Sequence, residues 1–285
     1  MRITNSYRLS LANGQKWDIL GSEEILPWLE QFASIMRLKR TKPNGYSRMT
    51  FVNDARQVKI DRGFKELKSN LIKFYFDAES KDTICEIDSN GTEDPALYFL
   101  KMSFALYPAY ERALDDGGLP LHSALIEKDG RGILLVGSGS TGKSTCCHRL
   151  PENWNALCDD EALIVKDKES NYFAHPMPTW SDYIWRNSKK TFDVQRHLPL
   201  SAIFFLEKSV TDRVVPIGNG MAAVLIYKST EQVFDKVCRK FERKKKSVLK
   251  ERLFKSGCEL AKTVPSFILK VSLTGRFWEE IEKVF

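Results

Sequence analysis

No apolar run in this chain approaches the roughly 20 residues that a membrane-spanning helix needs, so a helical membrane span is not expected. The first residues, Met1-Arg-Ile-Thr-Asn-Ser-Tyr7, carry no apolar signal-peptide core. Six cysteines occur (Cys85, Cys146, Cys147, Cys158, Cys238 and Cys258), with no CxxC pair and no Cys/His ligand spacing. A zinc site of the usual kind is therefore not expected. Reduced, partly buried thiols in a cytoplasmic protein are. Internal repeats and low-complexity tracts are also missing.

A charge excess is missing from most of the chain. Of 44 Lys/Arg and 37 Asp/Glu, the stretch Arg239–Lys255 holds nine and two, and the 35 of each sign left over balance. That stretch reads as the solvated face of a helix or as a dock for an acidic peptide or for phosphate groups. Its only aromatics are Phe241 and Phe254, so nucleic acid is an unlikely partner on this pattern.

What is present is a phosphate-binding signature. Across Gly132–Thr145 the sequence reads GILLVGSGSTGKST. The apolar run Ile133–Val136 leads directly into Gly137, Ser138, Gly139, Ser140, Thr141, Gly142, Lys143, Ser144 and Thr145, which fits G-x-x-x-x-G-K-[ST]. Glycines let successive N–H groups turn inward on one anion, and a helix starting near Lys143 adds its positive end. Lys143 can reach the β- and γ-phosphates, and Ser144 can sit on Mg²⁺. ATP and Mg²⁺ are the expected cofactors.

At 285 residues, 42% of them hydrophobic, the chain suits one large domain or two modest ones. Residues 1–118 read as a smaller N-terminal mixed α+β domain. In it, a hairpin turns at Asn13-Gly14, and a helix spans Ser22–Met36. A loop covers Arg37–Gly45. Paired strands follow at Asn70–Phe76 and Thr83–Ile87, closed by Ser89-Asn-Gly91. A helix from Asp94 to Ala113 is stopped by Gly117-Gly118. Residues 119–285 carry the nucleotide site. Strands are expected at Leu121–Ile126, Ile133–Val136, Ala156–Cys158, Ala162–Val165, Ser201–Leu206 and Ser266–Leu273. Two prolines make Ala174–Asp182 extended or looped. Ser229-Thr-Glu-Gln232 reads as a capping-box start to a long basic helix that breaks near Lys244–Ser247. Phe277–Phe285 reads as a terminal helix.

The chemistry-bearing residues outside the loop are acidic. Asp159 and Asp160 stand between two strand-like runs. Phosphoryl transfer needs carboxylates to hold Mg²⁺, and a further carboxylate can take the acceptor's proton. Neighbouring side chains on a strand end face opposite ways, so the pair can divide those tasks. The residues alone leave open which Asp does which. His122, at the start of the strand before Ile133–Val136, joins the catalytic candidates Asp159, Asp160 and Lys143. The metal candidates are Ser144, Asp159 and Asp160.

His122-Ser-Ala-Leu, GSGSTGKST and Asp159-Asp160 have the order and spacing of HPr kinase/phosphorylase catalytic domains, and the chain resembles that family. The core also occurs in ATP-dependent phosphoenolpyruvate carboxykinase, whose substrate half is too large for this chain. A nearer likeness is to HPr-kinase-like proteins of ribosomal peptide natural-product clusters: lasso-peptide precursor kinases and the SynChlorMet cassette C proteins. The latter share Leu121-His-Ser-Ala124, the phosphate loop, the Asp pair, His175-Pro-Met-Pro-Thr-Trp-Ser181 and Ala202–Leu206. The resemblance implies an α/β fold with an HPr-kinase/carboxykinase-like P-loop core over 119–285. It implies an ATP- and Mg²⁺-dependent kinase that phosphorylates a Ser or Thr hydroxyl on a peptide or carrier protein. It also extends to homo-oligomers, as the HPr enzymes form. The Glu-Ile-Arg-Gly-type segment that follows the Asp pair in HPr enzymes is missing here, so an acceptor other than HPr is implied. Two other readings are a nucleotide-binding partner that presents a precursor peptide to modifying enzymes, and a small-molecule (amino acid or sugar) kinase.

Overall fold

The computed structural model describes residues 6–58, 63–87 and 94–285. Among them, two mixed sheets and eight α-helices form an α/β fold. The chain starts with the hairpin β1 (Ser6–Ser10) and β2 (Lys16–Gly21), in which Gly14 takes φ +85° at the turn. Helix α1 (Leu26–Ile35) begins later than the periodicity indicates. Pro27 has no N–H to donate and fits only the first turn, so Glu23–Ile25 form a separate 3₁₀ turn. The basic segment after α1 is not all loop: β3 (Lys39–Thr41) pairs with β1. Strands β4 (Ser47–Val52), β5 (Phe64–Lys68), β6 (Ile72–Asp77) and β7 (Thr83–Ile87) complete the first sheet, in the order β3-β1-β2-β4-β7-β6-β5. The turn expected at Ser89-Asn-Gly91 lies outside the described residues.

The single helix expected from Asp94 to Ala113 is two, α2 (Pro95–Phe104) and α3 (Tyr107–Asp115). Asp94 caps α2 by accepting from Ala96 N at 2.9 Å. Pro108 forces the second start, because a helix interior cannot hold it. Gly117, at φ +84°, ends α3.

The expected strand at Leu121–Ile126 is also broken. It forms β8 (Leu119–Leu121) and β9 (Ser123–Lys128), with His122 at the corner. Then come β10 (Arg131–Val136), α4 (Lys143–Arg149), β11 (Asn155–Cys158), β12 (Ala162–Lys166), β13 (Tyr172–Pro176) and α5 (Trp180–Arg186). The Ala174–Asp182 stretch is thus partly regular: it closes β13 and opens α5. Strand β14 (Leu198–Lys208) is long enough to pair with β13 through its first residues and with β10 further on. Strand β15 (Arg213–Pro216) precedes α6 (Asn219–Cys238) and α7 (Arg243–Thr263). Strand β16 (Ser266–Val271) runs parallel to β14, and α8 (Phe277–Glu282) ends the chain.

The capping-box expectation at Ser229 was misplaced. Helix α6 starts at Asn219, because Ala222, Ala223 and Ile226 bury an apolar stripe that carries the helix upstream. Ser229 is buried mid-helix. The break in the basic region falls between Cys238 and Arg243, where Phe241 turns into the core.

One hydrophobic cluster runs from Leu9, Phe32 and Phe51 through Tyr107 to Leu134 and Ile226. A second lies on the other side of β10 and includes Ile133, Leu135, Phe204 and Phe277. Alternate side chains of β10 enter the two clusters, so the strand is buried on both faces. It therefore gives a rigid base to the loop that follows Val136.

Candidate functional site

Three loops meet where the second sheet changes partners. Strand β8 pairs with β12 (Leu121↔Ala162), whereas β9 pairs with β11 (Leu125↔Cys158). The chain pivots at His122 on one side and at Asp159-Asp160-Glu161 on the other, and the registers set the two pivots side by side. Val136 lies opposite Ser123 in the β9–β10 ladder. The glycine-rich loop thus leaves β10 next to His122.

That loop links a strand to a helix, as the motif requires. Ser140 (φ +63°) and Gly142 (φ +110°) take left-handed backbone conformations, which reverse the chain before α4. A Cβ on Gly137 would come 2.4 Å from Thr141 Oγ1. That oxygen donates to Ser138 O at 2.8 Å and ties the loop across itself. Lys143 is almost fully buried. Its Nζ donates to Gly137 O at 2.7 Å and to Ser138 O at 3.3 Å, and lies 2.9 Å from His122 Nε2.

These contacts fix the His122 tautomer. An ammonium has only donors, so Nε2 must accept from Lys143 and Nδ1 carries the proton. Nδ1 lies 3.2 Å from Asp160 Oδ1. Burial pushes the His122 pKa down, the Lys143 charge pushes the same way, and Asp160 opposes them. Burial also lowers the Lys143 pKa, against Asp160 and Asp159. Asp159 has other partners. Thr179 Oγ1 donates to its Oδ1 at 2.7 Å. Burial would raise its pKa, but hydrogen bonds from Ser144 and Thr179 outweigh that and hold it below the usual carboxylate value.

Two cavities open here. One, of about 250 Å³, is lined by Ser140, Gly142, Ser144 and Thr145 of the loop and by both Asp159 and Asp160. Gly139 and Lys143 also line it. The other, of about 730 Å³, is lined by Lys228, Gln232, Asp235 and Lys236 on one face of α6. His122 and Asp160 line both cavities, whereas Asp159 lines only the first. Glu161 lines the second. Burial pushes its carboxyl up to about 7, opposed by a hydrogen bond from the Tyr110 hydroxyl and reinforced by Asp160.

The first cavity brings together His122, Gly139, Ser140, Gly142, Lys143, Ser144, Thr145, Asp159 and Asp160, whereas Gly137, Ser138 and Thr141 do not line it. Thr179, Ser181 and Asp182 at the start of α5 and Arg186 at its end line the first cavity. The signal available for them was only the Pro-rich His175–Ser181 loop, and its members divide. His175 is fully buried. It accepts from Ala12 N at 3.1 Å through Nε2, and Nδ1 lies 2.8 Å from Val194 O. It therefore joins the first hairpin to the segment after α5 and does not face the cavities.

The Arg239–Lys255 stretch also divides. Arg252 binds Glu111 and Asp115 at 2.5 and 2.7 Å, and Lys250 binds Glu231 at 2.7 Å. Lys244 and Lys245 are exposed. All six cysteines are free. Among the described residues no helix is long and apolar enough to cross a membrane.

The family model of SynChlorMet cassette protein ScmC matches residues 83–285, well over half of the chain, and the protein belongs to that family. The match takes in the glycine-rich loop, the Asp pair, α5 and both long helices. No curated protein matches the chain.

Proposed function

We propose that this member of the ScmC family is an ATP- and Mg²⁺-dependent kinase with an HPr-kinase-like P-loop core, and that its acceptor is a Ser or Thr hydroxyl on a peptide or carrier protein. One observation carries the reading. Asp160 lies between a cavity floored by a phosphate-loop motif and a second, larger cavity, with the His122 imidazole 3.2 Å from its carboxylate. Nucleotide binding alone has no use for a carboxylate in that position.

The donor set fits Mg²⁺. The Ser144 hydroxyl and the Asp159 carboxylate are hard oxygen ligands, and both line the first cavity beside the loop. When bound, Mg²⁺ neutralises charge on the phosphate oxygens. The loop N–H groups and the start of α4 receive the phosphates. Lys143 gives up its carbonyl contacts to bind the charge that builds between donor and acceptor. Asp160 takes the acceptor's proton while the acceptor oxygen bonds to the γ-phosphorus and the bond to ADP breaks. His122, beside Asp160, keeps that carboxylate in place. The α6 face, polar except for Val233, suits a hydrophilic acceptor segment.

The test is phosphate transfer from labelled ATP to Ser- and Thr-containing peptides encoded beside the gene, with wild type and Asp160→Asn. Incorporation by wild type only supports the kinase. Tight ATP binding with no incorporation into any such peptide would sink it and favour a nucleotide-binding partner protein.

A further inference from the structure

A third cavity, of about 820 Å³, shares no lining residue with the two at Asp160. Its walls are β5 and β6, helix α3 and the first half of α7. Trp17, Leu67, Phe76, Phe241, Val248 and Leu249 give it apolar surface. Val248 is half exposed, so that surface is open to solvent.

The acids of this groove are already engaged. Arg252 holds Glu111 and Asp115. Gln15 Nε2 donates to Asp116 at 2.6 Å. Ser80 and the Glu79 N–H donate to Asp77, and Lys68 pairs with Glu66 at 3.1 Å. The cations Lys65, Lys81, Lys244 and Lys245 line the same groove with no acidic partner among the described residues, and Arg112 stands near Asp115. Asp77 and Asp116 keep their charge, but the lining carries six cations against five acids, and the cations that no carboxylate meets are the ones left to offer an acidic ligand. They stand on both walls, with Lys65 on β5 and Lys244 and Lys245 on α7.

The groove also runs along a sheet edge. Strand β5 ends the first sheet and pairs only with β6 among the described residues. An antiparallel edge leaves alternate backbone N–H and C=O groups open to a further strand. In the β5–β6 ladder Lys65 faces Phe76 and Leu67 faces Phe74. Side chains on that face of the sheet alternate in register with the apolar floor and the lysines.

We propose that this groove binds an extended acidic peptide, which adds to β5 as a new strand and turns a mixture of acidic and apolar side chains toward α7. Main-chain pairing supplies the register. Lys65, Lys244 and Lys245 select the charge. The groove would hold a substrate or partner chain at a distance from the phosphoryl-transfer residues, leaving the α6 cavity for the acceptor hydroxyl.

The probe is the fluorescein-labelled peptide ETVTETLTE, and its binding to the full chain is read by anisotropy without nucleotide. Failure here therefore leaves the kinase proposal standing, and failure of the kinase leaves this one standing. Binding at low salt is expected to weaken about tenfold in K244E/K245E, with the difference collapsing once salt shortens the Debye length to roughly 3 Å. Acidic side chains suit the first turn of α7, so this variant should keep its fold. Lys65→Glu on the opposite wall should weaken binding in the same direction. Replacing two of the peptide's threonines by proline removes strand donors and should also cost about tenfold. The proposal is overturned by equal binding of K244E/K245E and wild type, by undiminished binding of the proline peptide, or by no binding at all. Tighter binding of an RNA oligomer of equal charge than of the peptide would overturn it as well.

Discussion

His122 and Asp160 come from different strand pivots and meet with Nδ1 3.2 Å from Oδ1, at the wall between two cavities. Because Lys143 meets the other imidazole nitrogen, the three side chains form a chain of contacts that ends at Asp160. Asp159, one residue earlier, is outside that chain and faces Ser144 and Thr179. The structure thus separates two carboxylates that are adjacent in sequence.

From that separation, Asp159→Asn and Asp160→Asn should fail differently. Asparagine keeps the size and removes the charge. At Asp159 it should weaken Mg²⁺–ATP binding. At Asp160 it should leave ATP binding nearly intact and lower phosphoryl transfer by about 10²–10⁴-fold, the usual contribution of a general base. Calorimetric ATP affinity and phosphate incorporation, measured in parallel on both variants, check this. The reverse pattern would exchange the two roles.

Lys143→Ala should abolish phosphoryl transfer and reduce ATP affinity, since the lost cation matters most as charge builds in the transition state. It also removes the donor to His122 Nε2 and the positive charge that holds the His122 pKa down. The His122 pKa, followed by NMR, should therefore rise in the variant. Unchanged turnover would overturn the phosphate-loop assignment.

Thr179→Val keeps the shape of a buried side chain and removes the 2.7 Å bond to Asp159. A hydrogen bond to a charged group contributes about 1.5–3 kcal/mol. The Mg²⁺ concentration needed for half-maximal ATP binding should rise about tenfold, with little change in Mg²⁺-free nucleotide binding. An equal loss with and without Mg²⁺ would make Thr179 a packing residue only.

His175 should make stability pH-dependent. Burial pushes its pKa down to about 4, against roughly 6.5 in an unfolded chain. The folded value is the depressed one, so the unfolded chain binds the proton first as the pH falls. The contribution is present above about pH 6.5 and is lost as the pH falls toward 4, over a span of about 3 kcal/mol. Urea unfolding at several pH values should show this slope in wild type and a flatter one in His175→Gln. Parallel slopes would assign the effect to other groups.

The glycine-rich loop was legible because its signal is local: strand, glycines, Lys143 and Ser144 are consecutive. The hairpin at Asn13-Gly14 and the paired strands β6 and β7 were legible for the same reason, since alternation and turn residues lie within a few positions. The long helices were less so. Proline placement split 22–36 and 94–113, and the start of α6 depended on which apolar stripe the sheet would cover. Strands β4 and β5 escaped notice altogether. β5, FKELK, shows only a weak apolar alternation, since it borders the sheet and buries little.

The sequence by itself determined the chemistry available: a glycine-rich loop of phosphate-binding pattern, two carboxylates, a histidine and one basic stretch. Residue types and near-neighbour spacing suffice for that. Tertiary structure decided where each one stands. Strand exchange at His122 and at 159–161 put Asp160 between two cavities and left Asp159 with Ser144, a distinction between neighbours that no spacing encodes. Packing across the whole chain made His175 a buried tie between Ala12 and Val194 and brought Thr179 to Asp159. It also divided the basic stretch. Arg252 and Lys250 found carboxylates on other elements, while Lys244 and Lys245 met none among the described residues, because only the folded chain determines which charges come within a few ångströms of a partner.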